Sequence, residues 1–492
     1  MTSKCRISLY SLAAIFILAL GFGLSGQCAA KKPAKRASAK KASAKKIAVK
    51  PSATAAPKVL TVVAGCPFEC VPSKGASKVS IIACAEETEP ATFTVRSSKP
   101  LVGVKVSPLG SFGKIPDSAI QISKVEGENL AGEAGGVITD LGPQPTQFWL
   151  DVTVPRGTPP GVYQGKIAFY VQGKPYDAVP VEVKVLPLRL VGSSKQYILY
   201  TSYGPDGRAS EMDADAYQGF VNAFRGYQFK SISVNASPAG VQDVLTNYKI
   251  LGLTGPIPYT AYAFGSGDIP AEDQLKAVDD AKKAAGLASM FVFAVDDPKN
   301  ELQISAAIQQ IEALHAVKAL SAARVSDERA LERLDPYLDG INYSVDMPYV
   351  QSLISGQAKK TSMKMDWYWW DARKSVTDNR LYSGVMIWKS GLYGCMPVWM
   401  PQEGAGPMDG VRSLQGEALR EGVDDTRYLT TFMKALRELK DQKRQKDKDY
   451  IASTETYLTN FMSQPLQQLT PAQLCGLRAK LVEFSLALAA RM

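Results

Sequence analysis

Three spacings of apolar positions divide the chain. From residue 59 to about 190 apolar and polar positions alternate with period two, as in Val181-Glu182-Val183-Lys184-Val185. That is the pattern of strands with one solvated face. The segments Gln147-Phe148-Trp149-Leu150-Asp151-Val152-Thr153-Val154-Pro155 and Tyr163-Gln164-Gly165-Lys166-Ile167-Ala168-Phe169-Tyr170 read as strands joined by a Pro/Gly turn. Short strands punctuated by Gly, Pro and Ser predict a β-sandwich over 59–190, an accessory module without evident chemistry. After Leu186-Pro187-Leu188-Arg189-Leu190 the pattern changes. Strand-like runs at 197–201, 231–234, 257–259, 291–295, 323–325, 340–343, 365–368 and 383–387 alternate with helical patterns at 213–224, 239–251, 272–285, 303–320 and 347–355. This alternation predicts a (β/α)8 barrel over 195–412. From 413 to 492 the spacing is helical: 417–439 reads as amphipathic, 449–461 as a second helix. Thr470-Pro471 then opens a third, with Leu474, Leu477, Leu481, Phe484 and Leu488 as its stripe. The fold class is therefore multidomain β plus α/β: a sandwich, a TIM-like barrel and a C-terminal helical extension.

One barrel strand ends in chemistry. Phe291-Val292-Phe293-Ala294-Val295 runs into Asp296-Asp297-Pro298. The apolar run suits a strand buried on both faces, and Pro298 stops it. Two acids at the carboxyl end of such a strand either cap the following helix or serve the site that barrels place there. The adjacent pair favours function. Alternation puts Met290, Val292, Ala294 and Asp296 on one face and Phe291, Phe293 and Val295 on the other. The smaller set is expected to face the barrel interior and the bulkier set the helices. Glu301 is a third acid nearby, expected in the first turn of a helix.

Charge and composition narrow the chemistry. The 492 residues carry a formal net charge of +10, with 57 Lys+Arg and 47 Asp+Glu. Residues 1–58 hold 12 of the basic residues and no acid; removing them leaves 45 basic against 47 acidic, a net of −2. The body is near neutral and carries no charge argument for specific nucleic-acid binding. Lys4 and Arg6 precede an apolar run at 12–23 and small residues ending Cys28-Ala29-Ala30. That is the layout of a signal peptide over 1–30, cleaved near Ala30 and implying export to the periplasm, envelope or exterior. The alternative is an uncleaved anchor, since 7–26 is just long enough to span. Gln27 before Cys28 is a poor lipidation signal. The tract 31–58, rich in Lys, Ala, Ser and Pro, is too polar to fold and is expected to be a disordered linker. Its 10 basic residues also suit an anionic envelope surface as a partner.

Histidine is limited to His315, which lies in a helical pattern and reads as structural. This excludes a multi-His metal site and leaves little room for a Ser-His-Asp or Cys-His relay. Carboxylates are then the acid/base candidates. Cys66-Pro67-Phe68-Glu69-Cys70 has no partnering CxxC, so neither zinc nor another cofactor is called for; a disulfide among Cys66, Cys70 and Cys84 suits an exported protein. Other expected strand ends carry Tyr203, Asn235, Tyr262, Asp346, Trp369 and Trp388, and Met365-Asp366-Trp367-Tyr368-Trp369-Trp370-Asp371 holds three of six tryptophans. Such a cluster is either core or a platform for sugars, whose apolar faces pack on flat rings. Tyr203, Asn235, Tyr262, Asp346, Trp367, Trp369 and Trp388 are the substrate-binding candidates. Mixed aromatics and acids favour a neutral polyol, a carbohydrate or glycan.

Three motifs then resemble one known family. Phe148-Trp149-Leu150-Asp151-Val152-Thr153-Val154-Pro155 with Pro160-Gly161-Val162-Tyr163-Gln164-Gly165 is similar to the end of the N-terminal sandwich of glycoside hydrolase family 123. Gly384-Val385-Met386-Ile387-Trp388 looks like its last barrel strand. Val411-Arg412-Ser413 followed by Leu419-Arg420-Glu421-Gly422-Val423-Asp424-Asp425-Thr426-Arg427-Tyr428-Leu429 resembles its Arg-Glu-Gly helix signature, the most specific of the three. The resemblance implies an exo-acting hydrolase of β-linked N-acetylhexosamine, typically N-acetylgalactosamine, working by substrate-assisted retaining catalysis. The substrate's acetamido oxygen attacks the anomeric carbon, an Asp orients that group, and an adjacent Glu is the acid/base. Asp296 falls on the family's Asp; Asp297 stands where Glu is expected. Asp is one methylene shorter, which withdraws the acid by more than about 1 Å, and a misplacement of that size can cost ~100-fold. The rival readings are a catalytically degenerate carbohydrate-binding envelope protein and a structural surface protein tethered through 31–58.

Overall fold

The computed structural model describes residues 60–65, 67–68, 77–132, 135–201, 214–234, 240–260, 271–287, 289–360, 364–373, 375–399 and 412–491. The expected signal peptide and linker, Cys66 and Cys70, and the site candidates Tyr203, Asn235 and Tyr262 lie outside the described residues.

The period-two region forms ten strands: β1 (Leu60–Gly65), β2 (Val79–Ala83), β3 (Thr88–Ser97), β4 (Leu101–Pro108), β5 (Ile120–Glu126), β6 (Asn129–Ala131), β7 (Val137–Leu141), β8 (Thr146–Thr153), β9 (Gly161–Val171) and β10 (Lys174–Val185). They pair as two sheets, β1-β3-β8-β5-β6 and β2-β10-β9-β4-β7. The inward positions close on a core that includes Phe93, Phe148 and Phe169. Cys84, just past β2, is a free buried thiol; its sulfur lies 3.8 Å from the Tyr428 hydroxyl. Burial and the neighbouring Glu87 push that thiol up to about 12, which leaves it unreactive.

The barrel follows the expected alternation. Its elements are β11 (Gln196–Leu199), α1 (Ala214–Gly226), β12 (Ser231–Ile232), α2 (Val241–Ile250), β13 (Ile257–Thr260), α3 (Glu272–Ala285), β14 (Met290–Asp296), α4 (Glu301–Ala316), β15 (Leu320–Val325), α5 (Glu328–Leu334), β16 (Gly340–Ser344), α6 (Pro348–Ser355), β17 (Met365–Asp371), α7 (Val376–Leu381), α8 (Ile387–Ser390) and β18 (Gly394–Val398). The strands run parallel in the order β12-β11-β18-β17-β16-β15-β14-β13. The Val234 N–H, donating to the Pro258 carbonyl at 2.8 Å, joins the two ends.

Two sequence expectations are corrected. The run 383–387 is not the last strand. It is a π-helical segment, Tyr382–Met386, leading into α8, and the eighth strand is β18. Val385, Met386 and Ile387 are all fully buried, and a short, fully buried apolar run cannot be assigned to strand or helix by periodicity. Gly394 and Pro397 are unusual residues for the central strand β18. Glycine is required there, because a Cβ at 394 would sit 2.1 Å from the Gln196 carbonyl oxygen and 2.8 Å from the Trp367 ring.

The second correction concerns the barrel interior. Phe291 and Phe293 point inward with Ile198, Tyr200, Ala322, Trp367, Met396 and Val398, whereas Met290 and Val292 pack outward against the helices. The small residues are on the neighbouring strands instead. A Cβ at Gly340 would meet Phe291 at 3.1 Å and Trp367 at 3.0 Å, so absent side chains at 340 and 394 make the room these rings fill.

The C-terminal helices are α9 (Leu414–Asp441), α10 (Lys448–Met462) and α11 (Pro471–Ala489), the last capped by Thr470 as expected. The charged face of α9 is not solvated. Glu417, Arg420, Glu421, Asp424, Asp425 and Arg427 are all buried. Arg478 of α11 reaches Asp425 at 2.7 Å, Glu421 at 2.7 Å and Glu89 of β3 at 2.8 Å. Arg380 of α7 meets Asp425 at 2.9 Å. Arg420 contacts Glu417 at 2.7 Å, Glu421 at 3.1 Å and, at 3.5 Å, both Asp151 of β8 and Asp424. Arg427 pairs with Asp424 at 2.6 Å, and the Tyr428 hydroxyl donates to Glu87 at 2.8 Å. One network therefore joins sandwich, barrel helix and C-terminal helices. Gly422 lets α9 approach α7: a Cβ there would lie 2.0 Å from the Ser383 hydroxyl and 2.6 Å from the Arg380 carbonyl.

The network holds seven carboxyls (Glu87, Glu89, Asp151, Glu417, Glu421, Asp424 and Asp425) and four guanidiniums (Arg380, Arg420, Arg427 and Arg478). The surplus of three acids is met on the sandwich side. Burial, with Asp424 adding to it, raises Glu87 from 4.5 to about 7. Burial and Glu417 raise Asp151 from 3.8 to about 8. Burial also lifts Glu89 well above its ordinary range. Asp425 is buried too, but Arg380 and Arg478 pull it below. A carboxyl raised on folding contributes stability that is fully present below its unfolded value and disappears as pH rises through its folded one. Unfolding free energy should thus fall between about pH 4 and the values of about 7 and 8 for Glu87 and Asp151. Asp151→Asn should flatten the upper part of that fall in urea titrations from pH 5 to 9; an unchanged slope would contradict it. In the same assay Gly422→Ala should lose about 1–3 kcal/mol or more, by forcing α9 off α7.

Candidate functional site

The mouth of the barrel lies at the carboxyl ends of its strands, where an irregularity in β14 sets the aim of Asp296. Phe293 pairs with Ala322 of β15, but the next pairs are Val295 with Ala323 and Asp296 with Arg324, so Ala294 is an extra residue. This bulge shifts the phase of alternation. Phe291 and Phe293 face in, Ala294 and Val295 both pack outward, and Asp296 returns to the inward side. Without the bulge, the phenylalanines could not point inward together with Asp296.

Arg324 meets Asp296 there. Its Nε lies 2.5 Å from one carboxylate oxygen and its Nη2 donates to the other at 3.0 Å. The guanidinium is flanked by two rings, with its carbon 4.5 Å from the Trp369 ring centre and 5.1 Å from that of Tyr200. The arginine side chain is only 13% exposed, while Asp296 keeps 41% of its surface toward the opening. Enclosure by the barrel wall pushes the Asp296 carboxyl up; Arg324 opposes this, Asp297 adds to it, and a hydrogen bond from Tyr200 also lowers it.

Asp297 is differently placed. Its backbone takes the left-handed conformation, φ 54°, and its N–H donates to the Arg324 carbonyl at 2.8 Å. One carboxylate oxygen accepts from the Ser326 N–H at 2.9 Å and from the Ser326 hydroxyl at 2.7 Å. The other is 2.7 Å from Lys299. Its side chain ties the β14 loop to the end of β15. Neither acid caps α4: Asn300 does so, accepting from the Gln303 N–H at 3.0 Å. Glu301 sits in the first turn, held by Arg329 at 2.5 Å and Arg333 at 2.9 Å.

The remaining candidates separate. Trp367 is 1% exposed and lies edge-on to Phe291 and Tyr393 inside the barrel, with centroids 5.4 and 5.9 Å away. Trp369 is at the mouth, with Arg324 against its ring. Trp370 points outward and donates to Asn379 at 2.8 Å. Asp346 is exposed just past β16. Trp388 lies on α8 against the outer core, not at a strand end, because the run that carries it is helical. His315 has Ser321 and Asp339 both 3.1 Å from the same ring nitrogen, which is no relay geometry.

Sequence reasoning missed Arg324, Tyr200, Ser326 and Lys299. A signal existed for the first: Arg324 is the charged residue in Leu320-Ser321-Ala322-Ala323-Arg324-Val325, otherwise a buried strand. A cation in such a strand needs a partner, and the acid at the end of the preceding strand is in reach.

No known family's sequence profile matches the chain, and no curated protein matches it. Among solved structures it is similar to a family 123 glycoside hydrolase from Clostridium perfringens, described for glycolipid glycan hydrolysis. The TM-score is 0.61 and the identity 11%, over 88% of this chain and 99% of that one. A family 20 exo-β-N-acetylglucosaminidase from Vibrio harveyi matches with a TM-score of 0.30 and 8% identity, over 74% of this chain and 94% of that one, too loosely to carry an argument. The first match shows a shared fold over most of both chains.

Proposed function

We propose that the chain is a glycoside hydrolase acting on β-linked sugars at the barrel mouth, and more narrowly on N-acetylhexosaminides by substrate-assisted retaining catalysis. The observation that carries this reading is Asp296: a carboxylate delivered inward at the carboxyl end of a barrel strand and paired with Arg324, which lies against the rings of Tyr200 and Trp369. In this mechanism the acetamido oxygen attacks the anomeric carbon as the glycosidic bond breaks. The leaving oxygen takes a proton from the acid, and Asp296 accepts the acetamido N–H and stabilises the cationic oxazolinium. Water then opens that intermediate, returning its proton to the base. Asp297 is the acid/base in this scheme and must exchange Lys299, whose side chain is 57% exposed, for the leaving oxygen. Export and attachment of the 31–58 tract to an anionic envelope surface complete the proposal.

A second reading, a carbohydrate-binding protein without turnover, is favoured by the donors already on Asp297, namely Ser326 twice and Lys299. A screen of aryl β-glycosides with and without a 2-acetamido group separates the two. Hydrolysis confined to the acetamido sugars, reduced about 100-fold or more by Asp296→Asn and raised by Asp297→Glu, supports the first reading. Equal turnover of plain glucosides would contradict substrate assistance. Sugar binding without turnover, unchanged by replacing both acids with Asn, supports the second.

A further inference from the structure

We propose that Arg324 is the positioning residue of this site: set against Tyr200 and Trp369, it pairs with the Asp296 carboxylate and aims it into the mouth. The inference rests on the hydrolase reading for its rate consequences, but not for its structural content.

Alternation in β15 places Ala322 and Arg324 inward and Ala323 and Val325 outward, so Arg324 projects into the barrel from a strand with no other charge. Its neighbour across β16 is Asn342, a neutral side chain. Arg324 on β15, Tyr200 beyond β11 and Asp297 on its own loop act on Asp296. Asp297 already has Lys299 and Ser326. The balance at Asp296 therefore falls to Arg324.

The planar guanidinium suits this task. It offers two nitrogens to one carboxylate, and its carbon lies over the rings of Trp369 and Tyr200. The same contact has a cost for recognition. The face of Trp369 toward Arg324 is occupied, so a sugar at this mouth would have to use the opposite face or another ring. Lysine keeps the charge but loses both the fork and the planar group.

The test uses the full folded chain with 13C-carboxyl-labelled aspartate, the Asp296 resonance being assigned by Asp296→Asn. In Arg324→Gln the Asp296 titration should move to higher pH, and in Arg324→Lys it should stay near the parent. On an acetamido aryl glycoside, Arg324→Gln should lose about tenfold or more in kcat with a smaller change in KM, its acid limb moving up. Arg324→Lys should keep the parent's acid limb but not its rate. An Asp296 titration at the same pH in Arg324→Gln and parent overturns the proposal, whether or not any glycoside is cleaved. A shifted titration in a protein that cleaves none upholds it and removes the hydrolase reading alone. Should Arg324→Gln fail to fold, an Arg324→Lys variant with Asp296 titrating well above the parent would overturn the claim that charge sets the ionisation.

Discussion

The structure depends on charges buried between α9 and its neighbours. Removing ions from water is expensive, and four guanidiniums among seven carboxyls offset that only because each arginine meets more than one acid or fixes one at close range. Asp425 is held by Arg380 and Arg478 together; Arg420 reaches into the sandwich at Asp151. Such an arrangement favours one docking geometry over others, since any displacement leaves an ion unpaired. Burial pushes the carboxyls of Glu87, Glu89 and Asp151 up, which makes the junction sensitive to alkali.

This gives the Arg-Glu-Gly motif a physical meaning. Arg420 and Glu421 belong to the network, Gly422 allows the close approach of α9 to α7, and Asp424, Asp425 and Arg427 extend the pairs. Arg412, just upstream, donates to the Gly132 carbonyl at 3.2 Å and the Ser123 hydroxyl at 2.9 Å in the sandwich. The segment that most specifically resembles the family thus holds modules together. It says what the fold is, and nothing direct about the chemistry at the mouth.

The fold was largely legible because period-two and period-3.6 patterns reflect which faces are buried. It failed where patterns cannot discriminate. Val385-Met386-Ile387 is buried on every side, and so reads equally well as strand or helix. Gly394 and Pro397 are unusual residues for a central strand, glycine there being required by the Gln196 backbone. At the site, the sequence located Asp296 at the mouth but reversed the faces of β14. Relative side-chain size on one strand was the wrong guide; what mattered were the small residues Gly340, Gly394 and Ala322 on other strands. The bulge at Ala294 then restored Asp296 to the inward side, a compensation invisible without the register. Arg324 carried a signal as the one charge in a buried strand, but which acid it meets is set by pairing between strands.

Asp296 is proposed to stabilise a cationic, acetamido-derived intermediate. A hexosamine thiazoline mimics that cyclic intermediate, whereas the parent N-acetylhexosamine mimics only the ground state. Calorimetric titration of both into the folded protein should show the thiazoline binding about 100-fold or more tighter, with the difference abolished by Asp296→Asn. Equal affinity for the two ligands, or a preference that survives loss of the Asp296 carboxylate, would contradict it.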